Sequence, residues 1–198
     1  MEIYSPREAV RVIRAEHDRF KAVIYGMLHF ARSLASGDMT IEPKVFRAML
    51  LYIREYPEKV HHPKEDQHLF LLLRTRTNTL DSMLDELERQ HVQGERFLRQ
   101  LEDALTYYEL QGEPALQIFS DLVEAYAAFY FNHMKTEETQ IMPAAGQFLT
   151  PEDWVVIDAA FKENRDPLDG TDYKTSLDSL FSLIANIAPP PIGLGNAT

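Results

Sequence analysis

A ten-residue fragment occurs twice in this 198-residue chain and constrains both its folding and its chemistry. His61-His62-Pro63-Lys64-Glu65-Asp66-Gln67-His68-Leu69-Phe70 is matched by His133-Met134-Lys135-Thr136-Glu137-Glu138-Thr139-Gln140-Ile141-Met142. In each copy a His is followed four residues later by Glu, then by an acid, then, after two more residues, by an apolar pair. On an α-helix a four-residue step turns through about 400°, so His and Glu leave one face about one turn apart. One nitrogen and one oxygen donor per helix, used twice, is the set that a two-metal site between helices needs. The competing reading is two surface His–Glu pairs, each worth about a few tenths of a kcal/mol. The duplication and the matching flanks favour the metal.

The remaining sequence reads as helices. Ser5-Pro6-Arg7-Glu8 combines an N-cap, a proline at the first helical position and a capping-box acid. Val10, Ile13, His17, Phe20, Ile24 and Leu28 follow at helical spacing, and the helix should stop near Gly37. A second helix is expected from Pro43 to near Arg74, with Pro57 and Pro63 forcing a local distortion. A third is expected from about Thr79 to Gln111, stopped by Gly112, and a fourth from Pro114 to about Ala145. The expected fold is all-α: an up-down-up-down four-helix bundle over residues 1–148 with two extra C-terminal helices. The extra pair forms an appendage over 149–188, packing on the bundle or on a partner. It opens at Thr150-Pro151-Glu152-Asp153 and ends with an amphipathic helix over Thr175–Ile187, and 189–198 read as a flexible tail.

Counting along these helices tests whether the histidines meet. From His17 to the end of the first helix is about 19 residues, and from the start of the second to His61 about 18. From His61 onward to the end is about 13, and from the start of the third to His91 about 12. From His91 to the end is about 20, and from the start of the fourth to His133 about 19. Antiparallel neighbours at equal distances from a shared loop lie at one height, so these four histidines should form one layer. His17, His91 and His133 also sit in the apolar series of their helices, on the face expected to be buried. Tyr126, Tyr130, Phe129 and Phe131 read as core, with a Tyr near the metal able to tune its redox chemistry.

Composition narrows the function. The formal charge is −11 and the acids are spread along the chain, which argues against nucleic acid as a partner. There is no cysteine, so disulfides, thiolate ligands and thiol catalysis are out. No apolar run is long enough to span a bilayer, and the first residues lack a signal-peptide pattern; a cytoplasmic protein is the expectation.

With these residues in hand, the stretch from about Ile13 to Pro143 resembles the hemerythrin-like family, also called the HHE cation-binding domain. That family places a lone His on the first helix, His-x-x-x-Glu on the second, His on the third and His-x-x-x-Glu on the fourth. His17, His61 with Glu65, His91, and His133 with Glu137 match it. The apolar pairs Leu69-Phe70 and Ile141-Met142 also look like the family's, as does Pro143, whereas the equivalent position is Leu71 in the first copy. The resemblance implies a non-haem di-iron centre, with Glu65 and Glu137 bridging, His17 and His61 on one iron, and His91 and His133 on the other. Manganese suits the same donors. Ferritin-like proteins are less apt, because they use Glu-x-x-His, acid first and three apart.

Two departures bear on function. True hemerythrins carry a second His four residues after the one on the third helix; here that residue is Glu95, either a further ligand on the second iron or a surface acid paired with Arg99. Some relatives use the residue after the second-helix His, which here is His62, either a ligand or a half-exposed residue displaced by Pro63. Both departures weaken the case for a reversible oxygen carrier. The implied function is binding or sensing of O2, NO or peroxide. Alternatives are a di-iron redox enzyme, an iron-donating repair protein, or a metal-stapled interaction module, the last with a homodimer in view.

Overall fold

The computed structural model describes residues 8–164. Five helices account for nearly all of them: α1 (Glu8–Ser36), α2 over 43–76, α3 (Asp81–Gln111), α4 over 113–148 and α5 (Pro151–Lys162). α1 packs against α2 and α4, and α3 closes the ring against the same two, giving the expected up-down-up-down bundle. The connections are short. Gly112 alone joins α3 to α4, at φ 69°, a left-handed conformation that suits a residue without Cβ. The expected helix over Thr175–Ile187 and the tail lie outside the described residues. Among the described residues no helix is long and apolar enough to cross a membrane.

The prolines do not break α2 or α4. Both helices stay continuous by widening into π-helical turns over Arg54–His61, Glu65–Phe70 and Glu137–Ile141. A proline ring clashes with the carbonyl four residues back. The His62 N–H reaches five residues back to Pro57 O just before Pro63, and the Met142 N–H reaches Glu137 O just before Pro143. The wider turn gives each ring its room, so α4 runs on past Pro143 to Phe148, three residues beyond the expected Ala145. Such turns recur at functional sites, and here two of the three begin at the glutamates of the repeat.

The core is in two parts. Phe20, Ile24, Phe46, Met49, Leu101, Phe119 and their neighbours form one apolar cluster; Ile13, Phe70, Leu84, Ile141, Trp154 and Phe161 belong to another. Each such buried side chain contributes about 1.5–3 kcal/mol. Between the clusters runs a buried polar layer containing Glu16, His17, Glu58, His61, His62, Glu65, His91, His133 and Glu137. α5 caps the end of the bundle formed by the second cluster. At the expected helix start Thr150 and Asp153 make a capping box, Asp153 receives Arg76 at 2.7 and 2.8 Å, and Asp158 accepts the Ala9 N–H at 2.8 Å.

Candidate metal centre

The four histidines meet at one height, as the counting requires. His17 Nε2 lies 3.1 Å from His61 Nε2, and His91 Nε2 lies 3.1 Å from His133 Nε2. The opposite ring nitrogens show which tautomer each holds. His17 Nδ1 faces Glu138 Oε1 at 3.0 Å, His61 Nδ1 faces Glu16 Oε2 at 2.6 Å, His91 Nδ1 faces Asp66 Oδ1 at 2.8 Å, and His133 Nδ1 faces Gln90 Oε1 at 3.0 Å. Each partner is an acceptor, so each Nδ1 is the donor and Nε2 turns inward, able to hold a proton or a metal ion. Two such nitrogens at 3.1 Å are close enough to share a proton or a cation. Bonds of about 2.1 Å from one metal to two imidazole nitrogens at a right angle would set those nitrogens about 3.0 Å apart. The spacing fits.

These acceptors form a closed ring. Glu16 on α1 holds His61 of α2, Asp66 on α2 holds His91 of α3, Gln90 on α3 holds His133 of α4, and Glu138 on α4 holds His17 of α1. Glu16 is itself fixed by the Tyr56 hydroxyl at 2.5 Å and by the Asn164 amide at 3.0 and 3.2 Å. Lys21 donates to Glu138 at 2.6 Å. Partners of this kind orient a metal-binding imidazole and raise its basicity.

The two carboxylates lie between the imidazole pairs. Glu65 Oε1 is 3.4 Å from His61 Nε2 and 3.8 Å from His17 Nε2, while its Oε2 is 3.7 Å from His91 Nε2. Glu137 Oε1 is 3.2 Å from His133 Nε2 and 3.8 Å from His91 Nε2, while its Oε2 is 3.4 Å from His17 Nε2. Each carboxylate thus offers one oxygen to either pair. All four oxygens are buried with no hydrogen-bond partner. Four such orphaned acceptors would be a heavy penalty in a folded core, and a cation relieves it.

Electrostatics point the same way. Burial raises Glu137, but His133, His91 and His17 outweigh it and hold its pKa well below the usual range. Burial and Glu137 both raise Glu65, yet His61 and His17 bring it down on balance. The same carboxylates draw positive charge to the imidazoles. Burial opposes charge on His91, but the Asp66 bond and the Glu137 and Glu65 carboxylates lift it to about 10. His17 and His61 are likewise raised against their burial by surrounding carboxylates.

His62 is not half-exposed. It is buried, its ring centroid 4.3 Å from that of His91, and its Nδ1 is 3.4 Å from Glu58 Oε2. Burial, reinforced by the His91, His61 and His133 charges, holds its pKa well below the ordinary value, so the ring is a neutral donor. Metal-sized groupings comprise His17, His61 and Glu65; Glu65, His91, His133 and Glu137; and His62, His91 and His133. Glu95 does not join them. Its side chain is 55% exposed and lies 3.8 Å from Arg99. The residue of α3 that is buried there is Gly94, three residues on from His91, although by helix geometry alone the four-residue step to Glu95 returns closer to the His91 face. A Cβ at Gly94 would sit 1.8 Å from the Tyr130 hydroxyl.

A family model described as the hemerythrin HHE cation binding domain matches residues 8–145. The chain belongs to that family. No curated protein and no solved structure matches the chain. The matched span covers all four bundle helices and every histidine of the layer. The hemerythrin-type site is therefore a buried His and Glu cluster suited to hold metal. The sequence signals for the acceptors are uneven. Asp66 and Glu138 are the acids that follow each glutamate in the repeat, and Glu16 and Gln90 each immediately precede a histidine, His17 and His91. Glu58 carries no signal beyond lying near a histidine.

Proposed function

We propose that the chain holds a dinuclear iron centre and binds a small molecule such as O2, NO or peroxide there. His17 and His61 would serve one iron, His62, His91 and His133 the other, with Glu65 and Glu137 offering an oxygen to each. The observation that carries this reading is the shared polarity of five imidazoles: every Nδ1 faces an oxygen acceptor, and the carboxylates among them lack any other partner. The second third-helix His of true hemerythrins, four residues after His91, is replaced by Glu95, and the fifth imidazole would come instead from His62 on α2. The loss that weakened the oxygen-carrier reading is thereby offset.

The donors are unequal. One side has three imidazoles and two carboxylate oxygens; the other has two imidazoles and two oxygens. The His17–His61 side is the one left with coordination to spare, and a small ligand would bind there. When bound, the iron pair supplies redox capacity and Lewis acidity. The protein keeps the site dry, fixes each ring through its acceptor and matches the charge. A purely structural metal is disfavoured, because structural sites are coordinatively closed.

The test is elemental analysis of purified protein after aerobic reconstitution with ferrous iron, followed by azide titration. About two irons per chain are expected, with an absorption band that shifts on azide addition. Less than about one iron per chain, or an azide-silent spectrum, overturns the reading.

A further inference from the structure

One buried side chain lies against the candidate donors without being one of them. The Tyr130 ring is parallel to His62 (4° between planes, centroids 5.7 Å apart) and edge-on to His133 at 5.6 Å. Its hydroxyl donates to Glu58 Oε1 at 2.5 Å, and Glu58 is itself buried. The hydroxyl reaches that carboxylate through a notch in α3 that only Gly94 leaves open. A fully buried phenol cannot shed a proton alone without placing a charge in a low-dielectric core. It can shed a proton and an electron together if a base and an electron acceptor both touch it.

We propose that Tyr130 is a one-electron donor to the metal centre, passing its phenolic proton to Glu58 as the electron leaves. This rests on the dinuclear iron reading. The oxidant is peroxide: cleaving its O–O bond to two waters would take two protons from solvent and two electrons, one from the iron pair and one from Tyr130 through His62 or His133. The Tyr130 O–H bond breaks, the proton moves to Glu58 Oε1, and a neutral phenoxyl radical remains on the ring. Geometry singles out this tyrosine. Tyr126, 4.8 Å away ring to ring, has a buried hydroxyl with no hydrogen-bond partner and so no base. Tyr56 donates to Glu16, which places a carboxylate between it and His61.

The experiment mixes the iron-loaded full chain with hydrogen peroxide, freeze-quenches it and records the electron paramagnetic resonance spectrum. Iron content and the azide response are measured first on a separate portion of the same preparation, so a chain that holds no iron fails at that step and overturns both readings. A radical signal is expected whose hyperfine pattern changes when the protein carries ring-deuterated tyrosine. It should vanish in Tyr130→Phe and persist in Tyr126→Phe. Glu58→Gln keeps the shape of the acceptor and should slow radical formation by about a hundredfold, the lower end of what a positioned proton acceptor contributes. An iron-loaded wild type that gives no tyrosyl signal overturns the proposal. So does a signal that survives Tyr130→Phe, or one lost only in Tyr56→Phe.

Discussion

Replacing Gly94 with Ala tests whether the packing around the site is as tight as described. Gly94 lies inside α3 and has no positive φ, so its backbone needs no glycine. On helix propensity alone, Gly94→Ala should stabilise by about 1 kcal/mol. The neighbours reverse that sign. The new Cβ would meet Tyr130 Oη at 1.8 Å, Cζ at 2.8 Å and Glu58 Oε1 at 3.2 Å. Tyr130 must move, which costs about 1–3 kcal/mol as overpacking. Moving it breaks the bond to Glu58 and leaves a buried acceptor unpaired, about 1–3 kcal/mol more. The balance is a loss of about 3 kcal/mol, a drop in Tm of about 6–12 °C for a chain of this size. Urea and thermal unfolding of wild type, Gly94→Ala, Tyr130→Phe and the double variant would measure it. The double variant lacks the atom in worst conflict and should be more stable than the summed single effects predict, by at least about 1 kcal/mol. A Gly94→Ala protein as stable as wild type, or strictly additive effects, would refute the reasoning.

Three further outcomes are expected. Glu95→Ala should leave iron content unchanged and shift stability by no more than about 0.5 kcal/mol, because an exposed pair with Arg99 contributes little, whereas His62→Ala should lower iron stoichiometry in the same elemental assay. Chelation should lower thermal stability, by about 4 kcal/mol where free metal had stood at a thousandfold its dissociation constant, measured by calorimetry before and after dialysis. Asp153, held well below the usual carboxylate range first by Arg76 and then by Thr150, contributes stability that is present above its unfolded pKa near 3.9 and lost as pH falls toward the depressed native value. Asp153→Asn should therefore flatten the acid limb of a Tm–pH profile below about pH 4 relative to wild type.

Much of this was legible before any coordinates. The layer of His17, His61, His91 and His133 followed from counting, because four-residue steps and short loops leave little freedom in a bundle. Gly112 and Thr150 marked their helix boundaries by chemistry alone. What the sequence hid is tertiary. Pro63 and Pro143 look like interruptions until the preceding turns widen, and hydrogen-bond ring size has no signature in residue order. Gly94 and Glu95 flank the His91 direction on a helical wheel, about 60° to one side and about 40° to the other. Choosing between them needs the location of Tyr130, which arrives from another helix. His62 seemed compromised by the proline beside it, yet the wide turn that accommodates Pro63 is the same one in which His61 ends, and both imidazoles are buried.

The ring of acceptors makes each helix at once a holder and a held part. No helix can roll about its axis without withdrawing support from its successor and leaving its own imidazole's holder behind. A chain with three helices docked would therefore present neither the full donor set nor correctly turned rings. Metal capture in such a molecule would register the arrival of the last helix, so the rate at which a refolding chain takes up metal would clock completion of the bundle rather than its collapse.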